Sequence, residues 1–251
     1  MVLSKLGIKR LANDVKYVKK NNLDNENIYY KHDEENINIG YAMIIGNKES
    51  PYKYGYYFFE FNFSDDYPFA PPVVKFLTSD GNTRFHPNYY VNGKVCLSLL
   101  NTWSGDSWTS CCNINTILLV LGSLLINDSL LNEPGIKICD ENVKKYDLII
   151  GYKNIEFSII TQYTRLYNLD KLNYHSTTDY DNVMYLFKEK IYENIKINYD
   201  KILEYVNFLK LLYENDYNNK PIIVTIYSLN CVMDFEKLIS KLNNIKSYKL
   251  V

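Results

Sequence analysis

Alanine is nearly missing from the chain: three residues (Ala12, Ala42, Ala70) stand against 25 Tyr and 31 Asn in 251. A skew toward Tyr, Asn, Ile and Lys follows codon composition and carries no chemistry. Charge of one sign is also lacking, with 28 basic and 29 acidic residues and a net charge of −1. Nothing in that total calls for nucleic acid or an acidic membrane surface as partner. No long apolar run occurs. The longest, Thr116 to Ile126, is too short to cross a bilayer and reads as a buried helix. The N-terminal segment lacks the apolar stretch of roughly 7–15 residues and the small-residue cleavage site of a secretory signal. A reducing compartment, the cytoplasm or nucleus, is therefore expected. Five cysteines (Cys96, Cys111, Cys112, Cys139, Cys231) form an odd set without CxxC spacing, which argues against a disulfide framework and a zinc site. No metal is expected. With 47% apolar and 23% charged residues, collagen-like, mucin-like and wholly disordered classes drop out.

Glycine and proline are present but unevenly spread. Six of the seven prolines lie between Pro51 and Pro134, and no glycine follows Gly151. The tail is expected to be mainly helical, with apolar spacing at Val183, Phe187, Ile191 and Ile195 and then at Ile202, Val206, Leu209 and Tyr213. Ile222 to Tyr227 reads as a strand, and Phe235, Leu238, Ile239 and Leu242 as a last helix. At the other end, Ile8, Leu11, Val15 and Val18 predict an amphipathic helix over residues 4–20, with Lys5, Lys9, Lys16 and Lys20 in one narrow arc beside its apolar face. Strands are expected over Ile37 to Ile45, Tyr54 to Phe63 and Val73 to Leu77. Tyr57, Phe59, Phe61 and Phe63 make one face of the middle strand wholly aromatic. The order of elements predicts an α+β fold, a mostly antiparallel sheet covered by helices.

The segment that carries chemistry is Arg84 to Leu100, RFHPNYYVNGKVCLSLL, in which Cys96 follows the His86-Pro87-Asn88 tripeptide by eight residues counted from Asn88. A lone cysteine between Val95 and Leu97 would ordinarily be a small buried hydrophobe. Its context changes that reading. The Tyr67-to-Pro72 segment YPFAPP, the HPN tripeptide, the Asn-to-Cys interval and a following Trp occur in the order found in ubiquitin-conjugating enzymes, which this chain resembles from about Ser4 to about Asn168. Residues 92–108 (NGKVCLSLLNTWSGDSW) and Asn132 to Gly135 (NEPG) resemble more narrowly the larger, C-terminally extended members with a Thr-Trp-Ser-Gly insertion after the catalytic cysteine.

The resemblance implies a conjugating domain over 1–168 with an N-terminal helix, a four-stranded mostly antiparallel sheet and covering helices. A mainly helical extension follows over 169–251. It implies that Cys96 accepts ubiquitin or a ubiquitin-like protein from an activating enzyme as a thioester and passes it to a substrate lysine or a ligase. A thiolate suits this because it exchanges acyl groups at little cost, whereas a serine ester would be a poorer donor. Two roles stand open for Asn88: its amide N–H can stabilise the oxyanion that forms when lysine attacks, or its side chain can stiffen the loop. For His86 a structural role in the loop is expected, with Pro87 restricting its backbone. Asn132 and Glu133 are the candidates to orient or deprotonate the incoming lysine. Lys5 and Lys9 are candidates to dock the activating enzyme, and Phe69, Trp103 and Trp108 to bind a ligase. The two tryptophans are also readable as packing aromatics. No cofactor is implied, since the activating enzyme consumes the ATP.

The chain also departs from the family pattern. Ser98 stands where many members have an acidic residue, and Trp108-Thr109-Ser110-Cys111 replaces the usual Trp-Ser-Pro-Ala loop, which puts conventional ligase docking in doubt. Cys111 and Cys112 read as bystanders. Two other readings remain: a catalytically silent scaffold of the same fold, and a cysteine hydrolase pairing Cys96 with His86.

Overall fold

The structure is a computed structural model that describes residues 4–171, 178–217 and 220–248. The chain divides into two compact units, residues 1–45 with 57–125 and residues 46–56 with 126–251. This partition by compactness differs from the resemblance-based one at residue 168. It puts residues 126–168 in the same unit as the extension.

The first unit opens with helix α1 (Lys5–Asn21), whose Ser4 N-cap oxygen accepts from the Gly7 amide at 3.0 Å. No acid stands in its first turn, and Lys19 and Lys20 in the last turn face the negative end of the helix dipole. The buried face is Gly7, Leu11, Asp14 and Val18. The predicted face is corrected by part of a turn: Ile8 is 36% exposed and Val15 half-buried, because an aspartate rather than a valine takes the inward position. Asp14 can be buried because Arg10 Nε lies 2.9 Å from both its oxygens and the Tyr67 hydroxyl donates to it. Arg10 also donates to the Ser110 and Cys112 carbonyls at 2.6 and 2.7 Å. One arginine thus ties the helix to the loop that contains Trp108.

The sheet runs β1 (Ile28–His32), β2 (Ile39–Ile45), β3 (Tyr56–Asn62) and β4 (Val73–Phe76), in that order, with β1/β2 and β3/β4 antiparallel. The sequence reading located β2, β3 and β4 to within two residues at each end but not β1. On β3 Phe59 and Phe61 are fully buried, and Phe63 just beyond it 1% exposed. Edge contacts join Phe59 to Tyr89 and Phe63 to Tyr67 at 5.3 and 5.0 Å between ring centres. Phe58 on the opposite face is fully buried too, so both faces are covered along most of the strand. Helix α2 (Ile114–Ser123) starts at a capping box between Asn113 and Thr116 and buries Ile114, Ile117, Leu118 and Leu121.

In the second unit, α3 (Glu141–Lys153) passes through a π-helical stretch, Asn154–Thr161, into α4 (Gln162–Lys171). No glycine or proline interrupts this run after Gly151, so the chain stays helical. The fully buried Asn154 side chain donates to the Lys53 carbonyl at 2.9 Å and so gathers in the 46–56 loop. Helices α5 (Asp179–Leu186), α6 (Lys188–Asp216) and α7 (Phe235–Ser247) follow, and the apolar positions read from spacing are buried, except Ile239, which is intermediate. The tail strand is shorter than expected. Only Ile222–Val224 is strand (β5), because Thr225–Tyr227 forms a tight turn ending on left-handed Ser228, from which β6 (Leu229–Cys231) pairs back. Among the described residues no helix is long and apolar enough to cross a membrane.

Gly46 sits where the 46–56 loop doubles back, and a Cβ there would lie 1.9 Å from the Tyr52 carbonyl oxygen. A backbone atom cannot rotate away as a side-chain tip can. Gly46→Ala is therefore expected to lower stability by about 1–3 kcal/mol, the usual cost of overpacking, read from the chemical denaturation midpoint. An unchanged midpoint would contradict this packing.

Candidate active site

Asn88 and Cys96 close a loop on each other. The Cys96 amide donates to the Asn88 carbonyl at 2.9 Å, and Asn88 Nδ2 donates to the Cys96 carbonyl at 2.6 Å. The eight-residue interval read from the sequence is the length of this closure. Its turn is made by Gly93, whose φ is +90° and whose amide donates to the Tyr90 carbonyl at 2.9 Å. Asn88 Oδ1 is buried and makes no hydrogen bond among the described residues. The side-chain amide is thus spent at least partly on the loop, as the stiffening role for Asn88 requires.

Cys96 is 4% exposed, and its thiol donates to the Thr102 carbonyl at 3.1 Å. Thr102 does more. Its hydroxyl accepts from the Leu97 amide at 2.8 Å and faces the Val95 and Leu97 carbonyls at 2.9 and 3.1 Å, while its own amide donates to the Leu97 carbonyl at 3.1 Å. The backbone on both sides of the cysteine is therefore satisfied by one threonine. Thr102 lies in the Thr-Trp-Ser-Gly stretch quoted from the sequence, of which Trp103 alone was singled out. Thr102 contacts backbone, and backbone leaves no residue-type pattern to read. Beyond it, Gly105 has φ +131° and a Cβ there would lie 3.1 Å from Ser98 Cβ, so the segment around Gly105 folds back onto Ser98.

His86 is fully buried, and its Nδ1 accepts from the Asn88 amide at 3.0 Å. Burial pushes the imidazole down from 6.5 to about 3; a hydrogen bond with the Leu124 backbone opposes the shift and the nearby Arg84 adds to it. The ring is neutral, and its Nδ1, taken by the Asn88 amide, braces the loop. Pro87 lends its carbonyl to the Arg84 guanidinium, which stacks 3.7 Å above the Tyr90 ring. Tyr89 anchors the same loop to α2 by donating to the Leu121 carbonyl at 2.8 Å.

The proposed partner residues separate clearly. Lys5 and Lys9 are exposed on α1. Phe69 is 73% and Trp103 51% exposed. Trp108 requires correction: it is 7% exposed, its indole N–H donates to the Pro68 carbonyl at 2.7 Å and its amide to Asn101 Oδ1 at 3.0 Å. It packs under the proline turn and offers little surface. Asn132 and Glu133 belong to the second unit, where Asn132 Nδ2 donates to the Ser129 carbonyl at 2.9 Å and Tyr227 donates to Glu133 Oε2 at 2.5 Å.

The family model described as ubiquitin-conjugating enzyme matches residues 10–151, more than half of the chain. The chain belongs to the ubiquitin-conjugating enzyme family. It is 36% identical over 146 residues to probable ubiquitin-conjugating enzyme protein 17 of Caenorhabditis elegans, covering 54% of this chain and 20% of that protein. Against human ubiquitin-conjugating enzyme E2 Z it is 45% identical over 96 residues, 38% of this chain and 27% of the relative. Against the human dual E2 ubiquitin-conjugating enzyme/E3 ubiquitin-protein ligase BIRC6 it is 31% identical over 147 residues, 54% of this chain and 3% of the relative. The matched region is thus a small part of each of these relatives.

The buried neutral histidine gives a pH signature. Between pH 6.5 and about 3 the unfolded state binds a proton at His86 that the folded state does not, so this site's contribution is full above pH 6.5 and is lost on acidification, by about 1.4 kcal/mol per pH unit. Asp147 in the second unit, raised by burial to about 6, has the opposite sign in part of that window. The test therefore compares proteins: denaturation midpoints of the parent should fall more steeply from pH 6.5 to 4.5 than those of His86→Asn. Parallel curves would contradict the assignment.

Proposed function

We propose that this protein is a cysteine-dependent conjugating enzyme that carries ubiquitin or a ubiquitin-like modifier on Cys96. The observation that supports this reading best is the closure of Asn88 and Thr102 around the cysteine, in a chain of the ubiquitin-conjugating family. In the charging step the Cys96 sulfur attacks the modifier's carbonyl in the activating enzyme's thioester. A new C–S bond forms, the old one breaks, and the departing thiolate takes up the proton Cys96 gave up. In the discharge step a substrate lysine amine attacks the same carbonyl, the C–N bond forms, the C–S bond breaks and the Cys96 thiolate returns. The amine's proton leaves to a base, for which Glu133 is the candidate with Asn132 orienting the amine. Asn88's second amide hydrogen is the candidate donor to the transient oxyanion.

On this reading ATP is consumed by the activating enzyme and no cofactor is bound here. Lys5 and Lys9 on α1 meet the activating enzyme, while Phe69 and Trp103 supply a surface for a ligase. The Thr-Trp-Ser-Gly segment marks the subgroup. Residues 1–168 serve as the conjugating domain and 169–251 as an extension for partner selection, in the cytoplasm or nucleus.

The test is a non-reducing gel after mixing the protein with activating enzyme, modifier and ATP. A thiol-sensitive adduct should form, vanish in Cys96→Ala and become a thiol-resistant oxyester in Cys96→Ser. An adduct that survives Cys96→Ala would sink the proposal. Asn88→Ala should leave charging nearly intact and slow discharge to lysine by roughly 10²-fold, the usual loss for one oxyanion donor. Equal loss of both steps would assign Asn88 to the loop alone.

A further inference from the structure

A cavity of about 370 Å³ opens in the first unit, and its lining includes Val95 and Thr102. Its apolar floor is made by Pro72, Val74, Val95 and Leu100, and its rim carries Lys75 and Lys94. Val95 precedes Cys96, and Thr102, whose carbonyl holds the thiol, completes the wall. The two lysines are brought together by the backbone. Lys75 of β4 and Lys94 form an isolated antiparallel bridge, and the Phe76 amide donates to the Gly93 carbonyl at 2.8 Å. Both side chains are exposed. Among the described residues neither joins an ion pair within 4.0 Å; Glu60, opposite Lys75 in the β3/β4 register, makes none with it. Lys94 lies only 5.8 Å from the Tyr90 ring centre, whose face the Arg84 guanidinium also stacks on. Among the described residues these two ammonium groups have no ion-pair partner, and they flank an apolar hollow; Lys94 stands two positions before Cys96 in the chain.

We propose that this recess reads the acceptor: it seats an acidic segment of the substrate protein, an aspartate or glutamate on the Lys75/Lys94 rim with a neighbouring apolar side chain in the hollow, and so directs the nearby lysine to Cys96. The inference rests on the conjugating function proposed above. The choice of acceptor over modifier follows from connectivity. The modifier is bonded to the sulfur and needs no charge to stay there, whereas the acceptor arrives from solution and gains local concentration from a complementary charge. Acceptor lysines lacking acidic neighbours should be the slower ones.

The experiment charges the full chain with fluorescent modifier, quenches the activating enzyme, and follows loss of the thioester on adding one of three acceptors. These are a lysine peptide with glutamate and leucine beside the lysine, the same peptide with glutamine for glutamate, and free lysine. The parent should discharge to the acidic peptide roughly tenfold faster than to the neutral one, with the difference shrinking in high salt. The double variant Lys75→Glu/Lys94→Glu should lose or invert that preference while discharging to free lysine at the parent's rate. Equal rates for both peptides in the parent would overturn the inference and leave the conjugating function standing. So would a double variant that slows charging or free-lysine discharge as much as peptide discharge. Failure to form any thioester would remove the conjugating function itself, and this inference with it.

Discussion

A cysteine set in irregular backbone keeps its direction only if the amides and carbonyls beside it find partners outside helix and sheet. Here they are found in pairs. Asn88 bonds Cys96 through backbone and side chain together, His86 holds the Asn88 amide, and Thr102 takes the Leu97 amide and the thiol. Each of these bonds is modest by itself, about 1 kcal/mol net, but leaving one buried group unpaired would cost about 1–3 kcal/mol. The aromatic layer under the loop serves the same end. Tyr89 packs on Phe59 and Phe76 and still reaches the Leu121 carbonyl, so the loop is pinned to sheet and helix at once.

A second network does for the flanking loops what the first does for the cysteine. The Arg10 guanidinium spreads its donors over Asp14, Ser110 and Cys112, and Asp14 in turn receives the Tyr67 hydroxyl. Its planar fork is what makes this reach achievable, and a lysine would not reproduce it. The tie fixes the turn that presents Phe69 and the loop that carries Trp108. It explains how the segment can lack the family's usual proline there and still be held. The candidate partner residues differ from the sequence expectation in one respect. Trp108 turns inward to the Pro68 carbonyl, while Phe69 and Trp103 stay in solvent.

In the second unit polar anchors tie the 46–56 segment into an apolar bundle. Asn154 reaches the Lys53 carbonyl, Tyr52 meets Ser129 at 2.7 Å, and Tyr56 meets the Ile191 carbonyl at 3.2 Å. The many tyrosines, read as compositional noise, are used here as aromatic fillers whose hydroxyls find a partner when buried. The composition bias did not call for this, but the fold has made use of it.

Elements whose signal is local periodicity were legible in the sequence: α1, β2 to β4, α2 and the long helices of the tail. The candidate active-site segment was singled out by its resemblance to the family, carried by the order and interval of His86, Asn88 and Cys96. What periodicity could not supply was any feature made by contacts distant in the chain. Strand β1 exists because β2 pairs with it, and β6 because Ser228 turns the chain back. The inward face of α1 was misread since Asp14 is inward only in the presence of Arg10 and Tyr67. Thr102 acts through backbone atoms that every residue possesses, and the Lys75/Lys94 pair arises only where β4 meets the segment before the cysteine. Residue type and spacing by themselves determined the fold class, and the family resemblance they carry singled out Cys96 as the candidate carrier. Tertiary structure alone decided which side chains surround that cysteine, because those contacts depend on proximity in space, which a one-dimensional pattern does not encode.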